Sequence, residues 1–179
     1  AVVLPPQPGI YNDPIAVLDY SSLYPSSMIS ENLCHTSLVE DPLYQGDAGA
    51  VKLSAKGLEF KDISYDNYIY TRKGKTTTKR LNEEQPTVTC RFIQPRKDND
   101  GNIVEASRGI IPRILKVVLA QRKATRKRIK TENDPFVRDV LDGQQLALKV
   151  SANSVYGSIG ARVNPIYKKD VAACTTATG

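Results

Sequence analysis

The stretch Val17-Leu18-Asp19-Tyr20-Ser21-Ser22-Leu23-Tyr24-Pro25-Ser26 decides how the first part of the chain folds. The apolar run from Ile15 to Leu18 follows a turn signal at Asn12-Asp13-Pro14, and its length predicts a buried strand rather than a helix. This strand would end on the carboxylate of Asp19. The tight turn Ser21-Ser22-Leu23 follows, and its successive backbone N–H groups can bind phosphate oxygens. A carboxylate beside such donors suits a metal–phosphate ligand, because Mg²⁺ is typically held by one or two carboxylates together with phosphates.

Length and composition limit the class of protein. The chain has 179 residues, enough for one domain or two small ones with a buried core. It is 40% hydrophobic and 25% charged, which is typical of a globular protein. The apolar runs are too short to span a membrane, and we expect no signal peptide, because no basic segment followed by an apolar one begins the sequence. We expect an internal piece of a longer, non-secreted polypeptide, because the sequence starts without methionine.

The cysteines and the histidine do not predict a metal site. Cys34, Cys90 and Cys174 are too far apart for a Cys-x-x-Cys metal motif, and their odd number argues against a disulfide framework. They favour a reducing compartment. His35 is the only histidine, so a zinc site is not expected.

The positive charge is concentrated in one segment. The net charge is +6, and nine basic residues and no acidic ones lie between Arg108 and Lys130. Such a block indicates either a phosphate-binding surface or the solvated face of a helix. The charge alone leaves both interpretations open.

The first motif is followed by a helix and then by a region without clear periodicity. Ser26 or Ser27 can cap a helix to about Leu33, whose N-terminal dipole would favour an anion at the turn. Residues 39–101 predict an elaborated loop region with one or two hairpins. Candidate strands there are Tyr68-Ile69-Tyr70 and Val88-Thr89-Cys90-Arg91-Phe92-Ile93, with a turn at 97–102.

Two long helices are predicted after this region. A spacing of three and four between apolar residues predicts an amphipathic helix from Pro112 to about Lys130. Asn133 or Asp134 caps a second helix, which starts at Pro135 and extends to about Val155. Because the loop between them is short, the two helices must be antiparallel.

The predicted helical hairpin places polar residues on shared faces. Arg122 and Arg126 are four residues apart on the first helix. Lys149, Asn153 and Tyr156 share a face of the second helix. If these faces point to the same side, the cations can bind a triphosphate and the aromatic ring can stack on a base.

Two segments carry a family resemblance. Asp19-x-x-Ser-Leu-Tyr-Pro-Ser resembles the first palm motif of family B DNA polymerases, and Lys149-x-x-x-Asn-Ser-x-Tyr-Gly resembles their fingers motif. The run Val140-Leu141-Asp142-Gly143-Gln144-Gln145-Leu146-Ala147-Leu148 is similar to delta-type enzymes, including those of large DNA viruses. The resemblance covers residues 1–38 and 107–179, and delta-type relatives are expected to cross the interval between them in fewer residues.

The resemblance implies specific roles in the first motif. Asp19 would be the catalytic acid that binds two Mg²⁺ ions, and the backbone carbonyl of Tyr20 would add a ligand. The amides of Ser22 and Leu23 would bind the phosphates of a deoxynucleoside triphosphate. The ring of Tyr24 would lie against the deoxyribose, where a ribose 2′-hydroxyl would collide with it.

The resemblance also implies roles in the helical hairpin. Lys149 and Arg122 would bind phosphates, together with Arg126, which replaces the lysine usual in the family; a planar fork at this position can change the phosphate geometry. Asn153 would contact the nucleotide, and with Tyr156 it would line the nascent base pair. Gly157 would let the template base approach the backbone.

The resulting expectation is an α+β fold in three parts. Residues 1–106 would form a partial polymerase palm with an insertion at about 39–101, residues 107–160 the fingers hairpin, and residues 161–179 a return into the palm. The parent enzyme would be a DNA-directed DNA polymerase that joins deoxynucleotides to a primer 3′-hydroxyl. The second catalytic aspartate motif of the family does not occur in the sequence, so we expect this polypeptide alone to be inactive.

The resemblance further implies partners and a location. These are primer–template DNA, deoxynucleoside triphosphates, and a sliding clamp and accessory subunits bound by other parts of the parent enzyme. The location would be the nucleus or, for a viral enzyme, a nuclear or cytoplasmic replication site. Two alternatives stay open: a non-catalytic basic nucleic-acid-binding module, and a related polymerase that starts from a protein primer.

Overall fold

The computed structural model describes residues 5–73 and 76–179 and shows a mixed helical and strand architecture. In chain order its helices and strands are α1 (Leu23–Ser30), β1 (Leu38–Val39), α2 (Gly46–Ala55), β2 (Phe60–Asp66), β3 (Tyr68–Lys73), β4 (Thr76–Leu81), β5 (Thr87–Ile93), α3 (Ile110–Thr131), α4 (Pro135–Gly160) and α5 (Lys169–Thr178). Short 3₁₀ turns span Pro42–Tyr44 and Glu105–Ser107. None of the helices in the described ranges is long and apolar enough to cross a membrane.

The strands form two antiparallel units. One is a three-stranded sheet in the order β1-β5-β2, in which Ile63 pairs with Cys90 and Leu38 pairs with Phe92. The other is the β3–β4 hairpin, in which Tyr70 pairs with Lys79. The buried residues of β2 alternate with exposed ones, as expected for a sheet with one face against the core.

The core joins the three-stranded sheet to the helices. Phe92 of β5 and Leu115 of α3 are fully buried. The same cluster contains residues from α1, α4 and α5 and from the segment after α1, namely Met28, Leu33, Ala152, Ile159, Val171 and Cys174. The sheet therefore supports the base of the helical hairpin and the helix of the first motif.

The helical hairpin confirms the sequence-based expectation. Helices α3 and α4 pack against each other over a turn of only three residues, 132–134. The side chain of Asp134 caps α4 by accepting hydrogen bonds from the N–H groups of Phe136 and Val137. Helix α4 ends at Gly160, five residues later than the periodicity predicts.

The first motif differs from the expectation at both ends. Residues 15–18 are an exposed segment without strand structure, and Leu18 is 94% exposed. None of the described strands pairs with this segment, so its backbone N–H and C=O groups have no neighbouring strand with which to form hydrogen bonds. The prediction of a buried strand is therefore wrong for this chain. Helix α1 begins at Leu23 and not at Ser26 or Ser27, because Ser22 already supplies the left-handed turn that starts it.

The middle region contains more regular structure than predicted. The two expected strands are present within β3 and β5, and the β3–β4 hairpin agrees with the expectation of one or two hairpins, but α2 and β2 were not predicted. Arg91 of β5 explains part of this order: its guanidinium forms hydrogen bonds of 2.7 and 2.6 Å to the Asp62 carboxylate. It also donates to the carbonyls of Tyr44 and Gly46 at 2.9 Å. One buried side chain thus joins both long strands of the sheet to the start of α2.

Candidate functional site

The turn of the first motif is a compact backbone structure. Ser22 has a left-handed conformation with φ 57° and ψ 61°, and its carbonyl accepts the N–H of Ser26 at 2.9 Å. The Ser26 hydroxyl donates to the carbonyl of Ser21 at 2.9 Å. The Ser26 side chain therefore braces the turn on one side, and α1 starts directly after it.

Asp19 and Tyr20 lie just before this turn and are exposed. Among the described residues no group of three or more histidine, cysteine, aspartate or glutamate side chains could hold a metal ion. Asp19 therefore offers one carboxylate beside backbone donors, which fits Mg²⁺ only if phosphates or another protein segment supply further oxygen ligands.

A cleft of about 880 Å³ separates this turn from helix α3. Ser21 and Ser26 line one side, and the other side carries the expected Arg122 and Arg126. Three further lysines line it, namely Lys123, Lys127 and Lys130. The lining contains no acidic residue among the described positions, so the cleft suits an anion with several negative charges.

The side chain of Arg122 is held in place from the second helix. Its Nε donates to Oε1 of Gln145 on α4 at 3.3 Å, and the residue is half-buried. Arg126 lies one helical turn away and is exposed. One cation is thus positioned by the hairpin itself, while the other is free to adjust to a ligand.

Tyr24 and Tyr156 join the first motif to the helical hairpin. Their rings stack with centroids 4.3 Å apart and an interplanar angle of 25°. The hydroxyl of Tyr156 shares a 2.7 Å hydrogen bond with the hydroxyl of Thr176 on α5. The two residues, 132 positions apart in the sequence, therefore form a stacked aromatic pair at the base of the helical hairpin.

Lys149, Asn153 and Gly157 are exposed on α4. Neither Lys149 nor Asn153 lines the basic cleft. Lys149 shares a helical face with Tyr156 and lies seven residues, or about 10 Å, further along the axis. A Cβ atom added to Gly157 would meet nothing within 4 Å, so packing within the described chain does not require glycine there.

A junction between α1 and α3 was missed from the sequence. Asn32, just after α1, has φ 53° and is 2% exposed. Its side chain accepts the N–H of Gly109 at 2.8 Å and donates to the carbonyl of Ile93 at 2.7 Å. A Cβ atom on Gly109 would lie 2.7 Å from Cβ of Cys34, so only glycine allows this approach. The contact between Asn32 and Gly109 fixes the start of α3 relative to the turn. It could not be predicted from the sequence, because the two residues are 77 positions apart and no local pattern relates them.

The cysteines and the histidine lie away from the basic cleft. All three cysteines are free and buried. The neighbouring Cys90 thiol and burial raise the pKa of the Cys174 thiol, which keeps it protonated in the core. The ring Nε2 of His35 contacts the carbonyl oxygen of Ile166 at 3.0 Å. These side chains connect elements of the fold.

Comparison with known proteins identifies the family. The family model described as DNA polymerase family B matches residues 1–179. The chain belongs to DNA polymerase family B. A DNA polymerase of Pyramimonas orientalis virus is 41% identical to it, with 100% of this chain matching 17% of the relative. The DNA polymerase delta catalytic subunit of Dictyostelium discoideum is 37% identical over 179 residues, with 100% of this chain matching 13% of that protein.

A solved structure agrees with this family B assignment. The family B DNA polymerase from the hyperthermophilic archaeon Pyrobaculum calidifontis superposes with a TM-score of 0.52 at 26% identity, covering 89% of this chain and 15% of that one. The chain spans less than a fifth of the length of the relatives that it matches.

Proposed function

We propose that the enzyme carrying this chain catalyses template-directed DNA synthesis by transfer of deoxynucleotides to a primer 3′-hydroxyl. The family assignment supports this proposal. The observation that carries it in this chain is the shared cleft, in which the first-motif turn faces Arg122 and Arg126. A nucleotide triphosphate has the charge that such a cleft favours.

In this proposal the cations of the cleft bind the phosphates. Arg122 and Arg126 stabilise the charge that develops on the transferred phosphoryl group and on the leaving pyrophosphate. The amides of Ser22 and Leu23 donate to the same phosphates from the opposite wall. Lys149 and Asn153 reach the nucleotide when the hairpin closes by rotation toward the turn, a movement typical of nucleotide-driven closure.

Magnesium would supply activation of the primer hydroxyl and charge neutralisation of the pyrophosphate. Asp19 and the carbonyl of Tyr20 are the residues of this chain that would hold it. Another carboxylate would come from a part of the parent enzyme beyond these residues. The 179-residue polypeptide alone would therefore not incorporate nucleotides.

The three expected parts of the chain have different roles in this proposal. Residues 1–106 and 161–179 act as palm, and residues 107–160 act as fingers. The stacked aromatic pair of Tyr24 and Tyr156 would lie between palm and fingers, where it would support the sugar and the nascent base pair. Gly157 would leave room for the template base.

The partners proposed for the parent enzyme follow from this activity. They are primer–template DNA and deoxynucleoside triphosphates, with a sliding clamp and accessory subunits bound elsewhere in the enzyme. Because the relatives include viral polymerases and eukaryotic delta subunits, the site of action would be the nucleus or a viral replication site.

The role of Tyr24 can be tested in the full-length enzyme. Replacing Tyr24 by alanine should reduce discrimination against ribonucleotides by about tenfold or more, since the ring that collides with the 2′-hydroxyl is lost. Single-turnover incorporation of deoxy- and ribonucleotides measures the ratio. Tyr24→Phe is the matched control, because it keeps the ring and its stacking on Tyr156 and should keep the ratio. Unchanged selectivity in Tyr24→Ala would remove the role proposed for this ring.

Metal dependence separates this function from that of a basic binding module. The polymerase should incorporate a templated nucleotide only with Mg²⁺ present, and Asp19→Asn should abolish incorporation. A simple DNA-binding module would bind duplex DNA equally with and without Mg²⁺ and would ignore the triphosphate.

A further inference from the structure

A second cleft lies between the β3–β4 hairpin and the connection from α4 to α5. Its wider part has a volume of about 730 Å³, and its narrower part of about 290 Å³ reaches Tyr156. Both parts share the lining residues Tyr68, Tyr70, Gly160, Tyr167 and Lys169. The cleft is therefore continuous from the β3–β4 hairpin to the stacked aromatic pair of Tyr24 and Tyr156.

The lining of this cleft is unusually rich in tyrosine. Five of the chain's nine tyrosines line its narrower part, namely Tyr65, Tyr68, Tyr70, Tyr156 and Tyr167. Tyr68 and Tyr70 are two residues apart in β3 and so share a face of the hairpin. Tyr70 is 58% exposed, which leaves ring surface available to a ligand. Aromatic rings in a row are platforms on which successive nucleic-acid bases stack.

The charge of the cleft suits a phosphate backbone. Arg162 and Lys169 line the wider part, whose described lining contains no acidic residue. Lys79 adds a cation on the hairpin, with its Nζ 3.6 Å from the centroid of the Tyr68 ring. Asp66 lies in the narrower part, where its carboxylate accepts a 3.4 Å hydrogen bond from Tyr68. Cations along the wide part and rings along the narrow part resemble a groove for a single strand.

The hairpin is anchored in a fixed position beside α5. Asn67, buried between β2 and β3, donates its backbone N–H to Pro86 and accepts the N–H of Asn82, both at 2.8 Å. Its side-chain oxygen accepts a 2.8 Å hydrogen bond from Lys169. A two-stranded hairpin is only marginally stable alone, so these contacts are what holds the tyrosine face over the cleft.

We propose that this cleft binds single-stranded DNA, namely the unpaired template strand next to Tyr156. The inference rests on the proposed polymerase function only for the identity of the strand. The rings of Tyr68, Tyr70 and Tyr167 stack on unpaired bases, and Arg162 and Lys169 contact the phosphates between them.

The role of Tyr70 is tested by the binding of primer–template DNA to the full-length enzyme. Two substrates are compared by fluorescence anisotropy: one with about ten unpaired template nucleotides and one with a single unpaired nucleotide. Tyr70→Ala should raise Kd for the long overhang about tenfold and leave the short one unchanged, because one stacked base is lost. Tyr70→Phe keeps the ring and should bind as the wild type does. Tyr11→Ala is the matched control, since Tyr11 is 57% exposed in another part of the chain.

The phosphate contact is tested by salt dependence. Arg162→Ala should make the plot of log Kd against log salt shallower by about 0.7 for the long overhang, the value for one contact to a single strand. Arg138→Ala, at an exposed arginine of α4 outside this cleft, should leave the slope unchanged.

Unchanged binding of the long overhang in both Tyr70→Ala and Arg162→Ala would overturn the proposal. An equal loss on both substrates would also overturn it, because the cleft would then act on the duplex. Incorporation by the wild type on the short overhang reports separately on the polymerase function. A wild type that extends this substrate while the variants bind normally refutes only the cleft; a wild type that never extends refutes the polymerase proposal, and the binding data still decide the cleft.

Discussion

Replacing Asn32 by alanine should loosen the attachment of α3 to the first motif. The asparagine side chain satisfies two backbone groups, the buried N–H of Gly109 and the half-buried carbonyl of Ile93. Alanine satisfies neither of them. Asn32 also has φ 53°, a conformation that costs alanine more than asparagine.

The magnitude follows from these three losses. A buried backbone group without a partner costs about 1–3 kcal/mol. The left-handed conformation costs alanine about 1–2 kcal/mol. Together they predict a local destabilisation of about 4 kcal/mol, which corresponds to roughly a thousandfold change in an opening equilibrium.

Hydrogen exchange measured by mass spectrometry is the appropriate assay, because it reports local opening within a large enzyme. In full-length Asn32→Ala, peptides that contain the amide of Gly109 should exchange up to roughly a thousandfold faster. Asn32→Gly should be milder, since glycine adopts positive φ freely. Asn32→Asp should be intermediate, because its carboxylate still accepts from Gly109 but cannot donate to Ile93.

The control is Asn102→Ala, at an exposed turn where the lost side-chain contact is a 3.4 Å hydrogen bond to Asp98. It should leave exchange at Gly109 unchanged. If the Gly109 amide of Asn32→Ala exchanges within threefold of the wild-type rate, the Asn32 side chain does not hold α3 in place as proposed. A ranking in which glycine is worse than alanine would contradict the conformational part of the reasoning.

Two further predictions concern the sheet and its contact with α5. Arg91→Met should destabilise the sheet by about 3 kcal/mol, because Asp62 and two backbone carbonyls lose a buried donor. The control Lys97→Met removes an exposed ion pair and should change stability by less than about 1 kcal/mol. Hydrogen exchange of the β2 and β5 amides compares the two variants. Burial and the neighbouring Asp170 raise the pKa of Tyr65 above its ordinary value of 10.0. Above about pH 10 the unfolded phenol ionises while the folded one stays neutral, so stability is fully present below this pH and falls above it. Tyr65→Phe should remove this alkaline loss in melting temperatures taken from pH 9 to 11, and an identical slope would show that Tyr65 is not its source.

The polar nature of the first-motif turn and the helical hairpin were accessible from local sequence. The periodicity of α3 and the cap at Asp134 depend on residues within one or two turns of each other. Such patterns can be read without knowing the partner elements, because helix hydrogen bonds and caps are local. The alignment of Arg122 and Arg126 follows from the same periodicity.

The incorrect prediction for residues 15–18 has a different cause. An apolar run indicates burial, but burial in a sheet depends on a partner strand, and none of the described strands supplies one. The order of the middle region was missed for the converse reason. Its strands are stabilised by Arg91 and by contacts to the core, which lie far apart in sequence.

The sequence by itself determined the family, the two long helices and the donor-rich turn after Asp19, since motifs and helical periodicity are short-range properties. Only the tertiary structure decided that Tyr24 stacks on Tyr156, that Asn32 joins Gly109, and that a second tyrosine-lined cleft exists. These contacts join residues that are tens of positions apart. They form only when packing of the core brings separate elements together, which no local pattern encodes.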